Sequence, residues 1–367
     1  MYGLKQAPLQ WNRHLNATLS RMGFKRSTFD PCVYYRTTPI GTLFLAVVVD
    51  DIVTAASSPL ATKEFEAQIR QVYELTTLGT PTRLVGLNIR LTPTGLSLDQ
   101  NQFVKDLATS FKQNHAKPAL TPSALGEVPE GASPLLPAGH RYLSLVGSLL
   151  WSSITRPDIA VPVSIACSKS QSPTKADLAA ALRILRYLLH TLNVKLTYRK
   201  SAHAPQLCVF TDAAWSNAPK SRSRFGYMVC VHGNPVMWES KVTSMVCLST
   251  AESEYVAAVH AAKAALWLAR LVAQLCRLPM RPIMMYEDNR ACILMATNPV
   301  VSARNRHFAM RMWWLREQVE NNALALQYVP TESQLADIFT KLLPSPRFVA
   351  LRDMIMNGCA LAHMSTL

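Results

Sequence analysis

From about His203 onward the chain reads as three or four strands, a long helix, a strand, two helices, a strand and a last helix, and few folds accept that order. The strands are "LCVFTD", "FGYMVCV", "NPVMWES" and "VTSMVCLS". The long helix runs from about Ala251 to Leu275, and "IMMYED", two helices, "LALQYV" and a helix from Ser333 follow. Four carboxylates stand at element ends or helix starts in this α/β stretch: Asp212, Glu254, Asp288 and Asp337. They lie 42, 34 and 49 residues apart, so only the fold could gather them. Any one of them alone reads more readily as a helix cap or turn residue. As a set they suit phosphodiester hydrolysis, which needs charge stabilisation at the attacking and leaving oxygens; two Mg²⁺ ions about 3.5–4 Å apart supply it. Hard carboxylate oxygens are what such ions prefer.

Glu252 competes with Glu254, because residues two apart on a helix point about 200° away from each other. Glu254 heads a stripe of small residues, Ala258, Ala261 and Ala265, that would let a helix lie close to a sheet. Tyr255, Val259, Ala262 and Leu266 make a second plausible core stripe, so periodicity leaves the choice open.

The first half carries a second acidic feature. Trp11, Leu15, Leu19 and Met22 recur at helical spacing before Gly23, and a hairpin follows: "CVYYRTT", a turn at "PIG", then "TLFLAVVVDDIVTA". Asp50 and Asp51 interrupt that apolar hairpin. Inside a buried hairpin they would repel each other and lose hydration, and divalent cations would offset the cost. The alternative is a polar turn that happens to contain two Asp. A helix from Leu60 to Tyr73, two short strands around a Pro-Thr-Gly turn and a helix from Asn101 come next. Lys117 to Gly139 looks like a linker, and a helix after Thr174 opens with a capping box to Asp177.

Thirty-eight Lys and Arg against 23 Asp and Glu leave the 367-residue chain at +15, which favours a polyanionic partner, nucleic acid before an acidic membrane surface. Eight scattered cysteines without a C-x-x-C pair read as reduced thiols, the pattern of an intracellular protein of the cytoplasm or nucleus. The most membrane-like stretch, Leu143 to Cys167, carries Arg156, Asp158 and two prolines and is too polar to span a bilayer. No membrane association is expected.

Several ordered motifs carry a resemblance. "YGLKQAPLQWNRHL", "VVVDDI", "LVGLNIRLTPTGLSLDQNQFV" and "YLSLVGSLLWSSITRPDIAVPVS" are followed by "TDAAW", "LSTAESEY", "YEDNRACI", "NPVVSARNRHF" and "VPTESQLADIFTK". Together they resemble the reverse transcriptase and ribonuclease H part of copia-type LTR retrotransposon Pol polyproteins, from the first residues to about Arg352. The resemblance implies an α+β and α/β architecture. A partial reverse transcriptase palm would occupy 1–98, thumb and connection 99–203, a ribonuclease H-like domain with a mixed five-stranded sheet 204–343, and a short tail 344–367. It implies a nuclease quartet of Asp212, Glu254, Asp288 and Asp337 that binds two Mg²⁺ or Mn²⁺ ions, and it supports Glu254, because E-Y-x-A is similar to the E-L-x-A of related nucleases. Asp50 and Asp51 would be the second and third members of the polymerase metal triad, with Asp50 the metal ligand. RNA·DNA hybrid and template–primer would be the partners. Lys5 and Gln6 would lie near template and incoming nucleotide, and Lys220, Arg222 and Arg224 would meet phosphates, though a solvated loop fits those three equally. His307 would touch substrate or serve as a structural histidine.

The chain also departs from the family pattern. Val48 replaces the hairpin Tyr, Ala214 an acidic residue, Ala309 an Asp and Trp313 a His. The family's first polymerase Asp belongs to a strand upstream of the Y-G-L-K-Q-A-P motif, so the expectation is a 5′-truncated element that does not extend a primer but retains hybrid cleavage. A nucleic-acid-binding remnant without turnover is the rival expectation.

Overall fold

The computed structural model describes residues 4–124, 133–201, 204, 206–277, 282–298 and 309–358. Two compact units divide the chain: Met1–Pro81 with Trp267–Met280, and Thr82–Leu266 with Arg281–Leu367.

In the first unit, helix α1 (Ala7–Arg21) carries Pro8 as its second residue, which suits a first turn because its missing N–H would be unpaired there anyway. Gly23, at φ 82°, turns the chain out of the helix. Strands β1 (Lys25–Arg26), β2 (Val33–Thr38), β3 (Gly41–Val48) and β4 (Asp51–Ala56) pair in that order, all antiparallel. Period-2 alternation buries Leu43, Leu45 and Val47 against Leu15 and Leu19 of α1 and Phe65 and Ile69 of α2 (Pro59–Ile69). Helix α2 stops short of Tyr73, whose hydroxyl bonds the His14 ring at 2.8 Å and Thr18 at 3.2 Å.

The second unit opens with β5 (Arg83–Leu84), β6 (Leu87–Thr92) and β7 (Gly95–Asp99). These strands form a sheet with β8 (Leu196–Arg199), far ahead in sequence, which joins them to the second unit. Helices α3 (Asn101–Ser110), α4 (Tyr142–Ser152), α5 (Ala160–Ser168) and α6 (Lys175–His190) lie between, and α6 carries the expected capping box between Thr174 and Asp177.

The remaining elements build the mixed five-stranded sheet that the resemblance implies. Its strands are β9 (Leu207–Ala218), β10 (Arg222–Val231), β11 (Asn234–Val242), β12 (Ile283–Glu287) and β13 (Leu324–Tyr328). The order is β11-β10-β9-β12-β13; the first three are antiparallel, and β12 runs parallel to both its neighbours. A parallel strand needs a crossover, and α7 (Thr250–Cys276) provides it between β11 and β12. Both apolar stripes of α7 are buried, which is why periodicity could not choose between them. This helix alone among the described ones is long and apolar enough to cross a membrane, and 56% of that apolar window is buried inside the protein, as suits a core helix. Helices α8 (Arg290–Thr297) and α9 (Ala309–Glu320) precede β13.

Two local expectations need correction. "VTSMVCLS" is not a strand: after Val242 the Thr243 hydroxyl donates to the Met245 carbonyl at 2.7 Å and turns the chain into a loop. Asp337 does not open an α-helix from Ser333, because 3₁₀ turns at Thr331–Ser333 and Leu335–Phe339 take its place. The expected tail from 344 includes a helix, α10 (Ser345–Met356), whose Phe348, Leu351 and Ile355, at helical spacing, enter the main core.

Candidate metal centre

Strands β9 and β12 run parallel, with Phe210 opposite Tyr286 and their rings stacked at 4.7 Å. Asp212 and Asp288 each stand two residues beyond that pair, so one pleat step brings both to matching positions, Asp212 within β9 and Asp288 just past the end of β12. Glu254 arrives from the first turns of α7. One oxygen from each of Asp212, Glu254 and Asp288 lies within 4.8 Å of the others, and among the described residues these three form the single such group of potential metal ligands. Glu252 does different work: its carboxylate accepts from the Leu248 N–H at 2.8 Å while Ser249 accepts from the Glu252 N–H at 3.2 Å, which caps α7.

Burial shapes the electrostatics. Asp212 is fully buried, and desolvation is the main cause that pushes its carboxyl up to about 6. The Asp337 and Asp288 charges push the same way, against the Lys341 ammonium and the Thr340 hydroxyl. Glu254 is raised well above the carboxylate range by burial first and then by Glu287, Asp212 and Asp288. Glu287, wholly buried, is raised chiefly by burial too, although its Oε1 accepts from the Asn289 N–H at 3.0 Å. The Oε2 atoms of Glu254 and Glu287 have no hydrogen-bond partner among the described residues. Crowded, desolvated carboxylates with an unpartnered buried oxygen fit a hard divalent cation such as Mg²⁺ or Mn²⁺. The absence of His and Cys from the group argues against a softer metal.

Asp337 stands beside this group, not in it. Lys341 Nζ lies 2.6 Å from Asp337 Oδ1 and 3.2 Å from Asp212 Oδ1, and Arg347 Nη2 lies 3.3 Å from Asp337 Oδ2. The turn that carries Asp337 is tied to the sheet by Gln334, whose buried amide donates to the Thr211 carbonyl at 2.9 Å and accepts from the Ala336 N–H at 3.1 Å. Thr340 donates to Asp212 Oδ2. Sequence reasoning missed Glu287, Gln334, Thr340 and Lys341. The signal was a polar residue inside an apolar run beside a proposed ligand, in "YED" and "SQLADIFTK".

A family model described as reverse transcriptase (RNA-dependent DNA polymerase) matches residues 1–124. A transposon Ty5-1 protein of Saccharomyces cerevisiae is 36% identical over 265 residues, covering 70% of this chain and 85% of its own length. The chain belongs to the copia-type retrotransposon Pol family. The Pol polyprotein from transposon TNT 1-94 of Nicotiana tabacum is 30% identical over 369 residues, which cover 97% of this chain and 27% of the polyprotein. The copia-type segment thus spans about a quarter of the length of such relatives. Among solved structures it is similar to LC11-RNase H1 in complex with RNA/DNA hybrid, at a TM-score of 0.28 and 14% identity, over 36% of this chain and 93% of that one.

In this copia-type chain the polymerase-like acids sit otherwise than expected. Asp50 and Asp51 are both exposed at the tip of the β3–β4 hairpin, so no desolvation cost acts on them. Val49 takes φ 58° at the turn, and Trp11 Nε1 donates to its carbonyl at 2.6 Å. Lys5 and Gln6 are exposed at the start of α1. Lys220 and Arg222 are exposed on the turn between β9 and β10, but Arg224 is not: it is 4% exposed, and its guanidinium donates to Ser164 at 2.7 Å and Ser240 at 3.2 Å. Arg224 is therefore withdrawn from the expected phosphate contacts, because β10 turns it into the protein. His307 lies outside the described residues.

Proposed function

We propose that this copia-type chain cleaves the RNA strand of RNA·DNA hybrids by metal-assisted hydrolysis at Asp212, Glu254 and Asp288, with Asp337 as the fourth acid. The observation that carries the reading is the meeting of three carboxylates from three separate elements, two of them buried, around an unpartnered Glu254 oxygen. Mg²⁺ or Mn²⁺ bound there, as two ions in the full reaction, would polarise the scissile phosphate and make water a better nucleophile. The chain's own residues do the rest. Strand β9 and the end of β12 fix Asp212 and Asp288, Ser249 and Glu252 fix the start of the helix that presents Glu254, and Gln334 fixes the turn beside them. Lys220 and Arg222 attract the sugar-phosphate backbone, within a chain whose +15 charge favours polyanions. The Asp50–Asp51 hairpin corresponds, on the same reading, to part of a template–primer site for DNA synthesis.

The test is cleavage of a labelled RNA·DNA hybrid by the purified chain with Mg²⁺ or Mn²⁺, against a DNA duplex control. Asp288→Asn keeps the side-chain shape but removes a charge, so it should abolish cleavage while the protein still folds. A folded wild-type protein that binds hybrid in a salt-dependent way and shows no metal-dependent cleavage would replace the catalytic reading with a binding remnant.

A further inference from the structure

We propose that Lys341 is a tethered cation that bridges Asp212 and Asp337 and limits the free protein to one tightly bound divalent ion, an inference that rests on the metal reading above. Its ammonium lies within ion-pair distance of an oxygen on each acid, at 3.2 and 2.6 Å. The bridge is built by the fold. Lys341 follows the buried turn Leu335–Phe339, and Thr340, between that turn and Lys341, binds the other oxygen of Asp212.

The four acids are consequently unequal. Both oxygens of Asp212 and both of Asp337 have partners: Lys341 and Thr340 on the first, Lys341 and Arg347 on the second. Glu254 keeps one buried oxygen without any. An ion shared by Asp212, Glu254 and Asp288 meets unbalanced negative charge. A second ion between Asp212 and Asp337 meets an ammonium already in place, and like charges a few ångströms apart repel strongly in a partly buried setting. The Lys341 side chain is 37% exposed, so its head has a route to solvent. A phosphate that arrives beside the acids offers that head another anion, and the second ion then enters together with substrate. Lys341 acts here as a positioning residue; it selects when Asp337 becomes available.

The experiment is a Mn²⁺ titration of the full chain without nucleic acid, read by the electron paramagnetic resonance signal of the free ion. Wild type should take up one ion tightly and a second only weakly. Lys341→Met keeps the aliphatic stem and removes the charge, and it should tighten the second ion by at least about tenfold. Lys341→Arg retains a cation and should keep the wild-type isotherm. Two ions of similar affinity in wild type would overturn the role of Lys341 while leaving the metal site intact, and that result needs no folded variant. Equal isotherms for wild type and Lys341→Met would overturn it as well. No uptake in either protein would remove the metal reading itself.

Discussion

Gly226→Ala tests how tightly the acid site depends on one close approach between backbones. Gly226 lies in β10 directly opposite Asp212, and a Cβ built on it would stand 2.5 Å from Phe339 Cβ, 2.8 Å from Phe339 O and 2.9 Å from Phe339 C. Ordinary contact begins near 3.4 Å, so the Phe339 turn must retreat by about 1 Å, and no side-chain rotation can absorb the shift because two of the three atoms are backbone. Overpacking of this kind costs roughly 1–3 kcal/mol, or about 2–12 °C in the melting temperature of a unit this size. The same retreat pulls Thr340 and Lys341 away from Asp212 and moves Asp337, so hybrid cleavage should fall by about a hundredfold, the usual cost of ~1 Å of misplacement. Differential scanning calorimetry and a single-turnover cleavage assay measure the two effects. Gly147→Ala is the control: no atom lies within 4 Å of its added Cβ, it is exposed within α4, and alanine should stabilise that helix by roughly 0.5–1 kcal/mol. A Gly226→Ala protein that melts and cleaves like wild type would refute the reasoning.

Three further outcomes follow from the charges. Glu254→Gln should abolish cleavage and raise metal-free stability, because it removes a buried charge from a crowded group, whereas Glu252→Gln should weaken the α7 cap by about 1 kcal/mol and leave cleavage largely intact; paired melting and cleavage assays separate them. Asp212 has a folded-state value of about 6, above its ordinary one, so the folded protein binds that proton more tightly; this stabilisation is complete below about pH 4 and lost as pH rises through about 6. Asp212→Asn should therefore match wild type near pH 4 and exceed it by about 3 kcal/mol above pH 7 in urea titrations with chelator, and a pH-independent difference would contradict the burial argument. Neutralising Lys220 and Arg222 should reduce the salt slope of hybrid binding by about 0.9 for each phosphate that is no longer neutralised, while Arg224→Ala, which empties a buried hydrogen-bonded position, should lower the melting temperature instead.

Local pattern was enough to read the order of the elements. Apolar alternation in "TLFLAVVV", the capping box at Thr174 and the end of β12 beside Asp288 all rest on interactions within a few residues, and the structure keeps them, whereas β9 runs on through Asp212 to Ala218 because β10 pairs with it there. Motif spacing likewise marked the acids, although their separations hid which would meet. Tertiary structure decided the rest, because burial and charge environment depend on segments distant in sequence. Glu254 rather than Glu252 joins the acid group because the sheet ends lie on its side of α7, and Asp50 and Asp51 are solvated because no described segment covers their hairpin tip. Arg224 is drawn inward by Ser164, 60 residues away, and Asp212 acquires its partners Thr340 and Lys341 from 128 and 129 residues further along. A carboxylate's role in this protein follows from its neighbours in space, and those neighbours exist only once the sheet has closed around them.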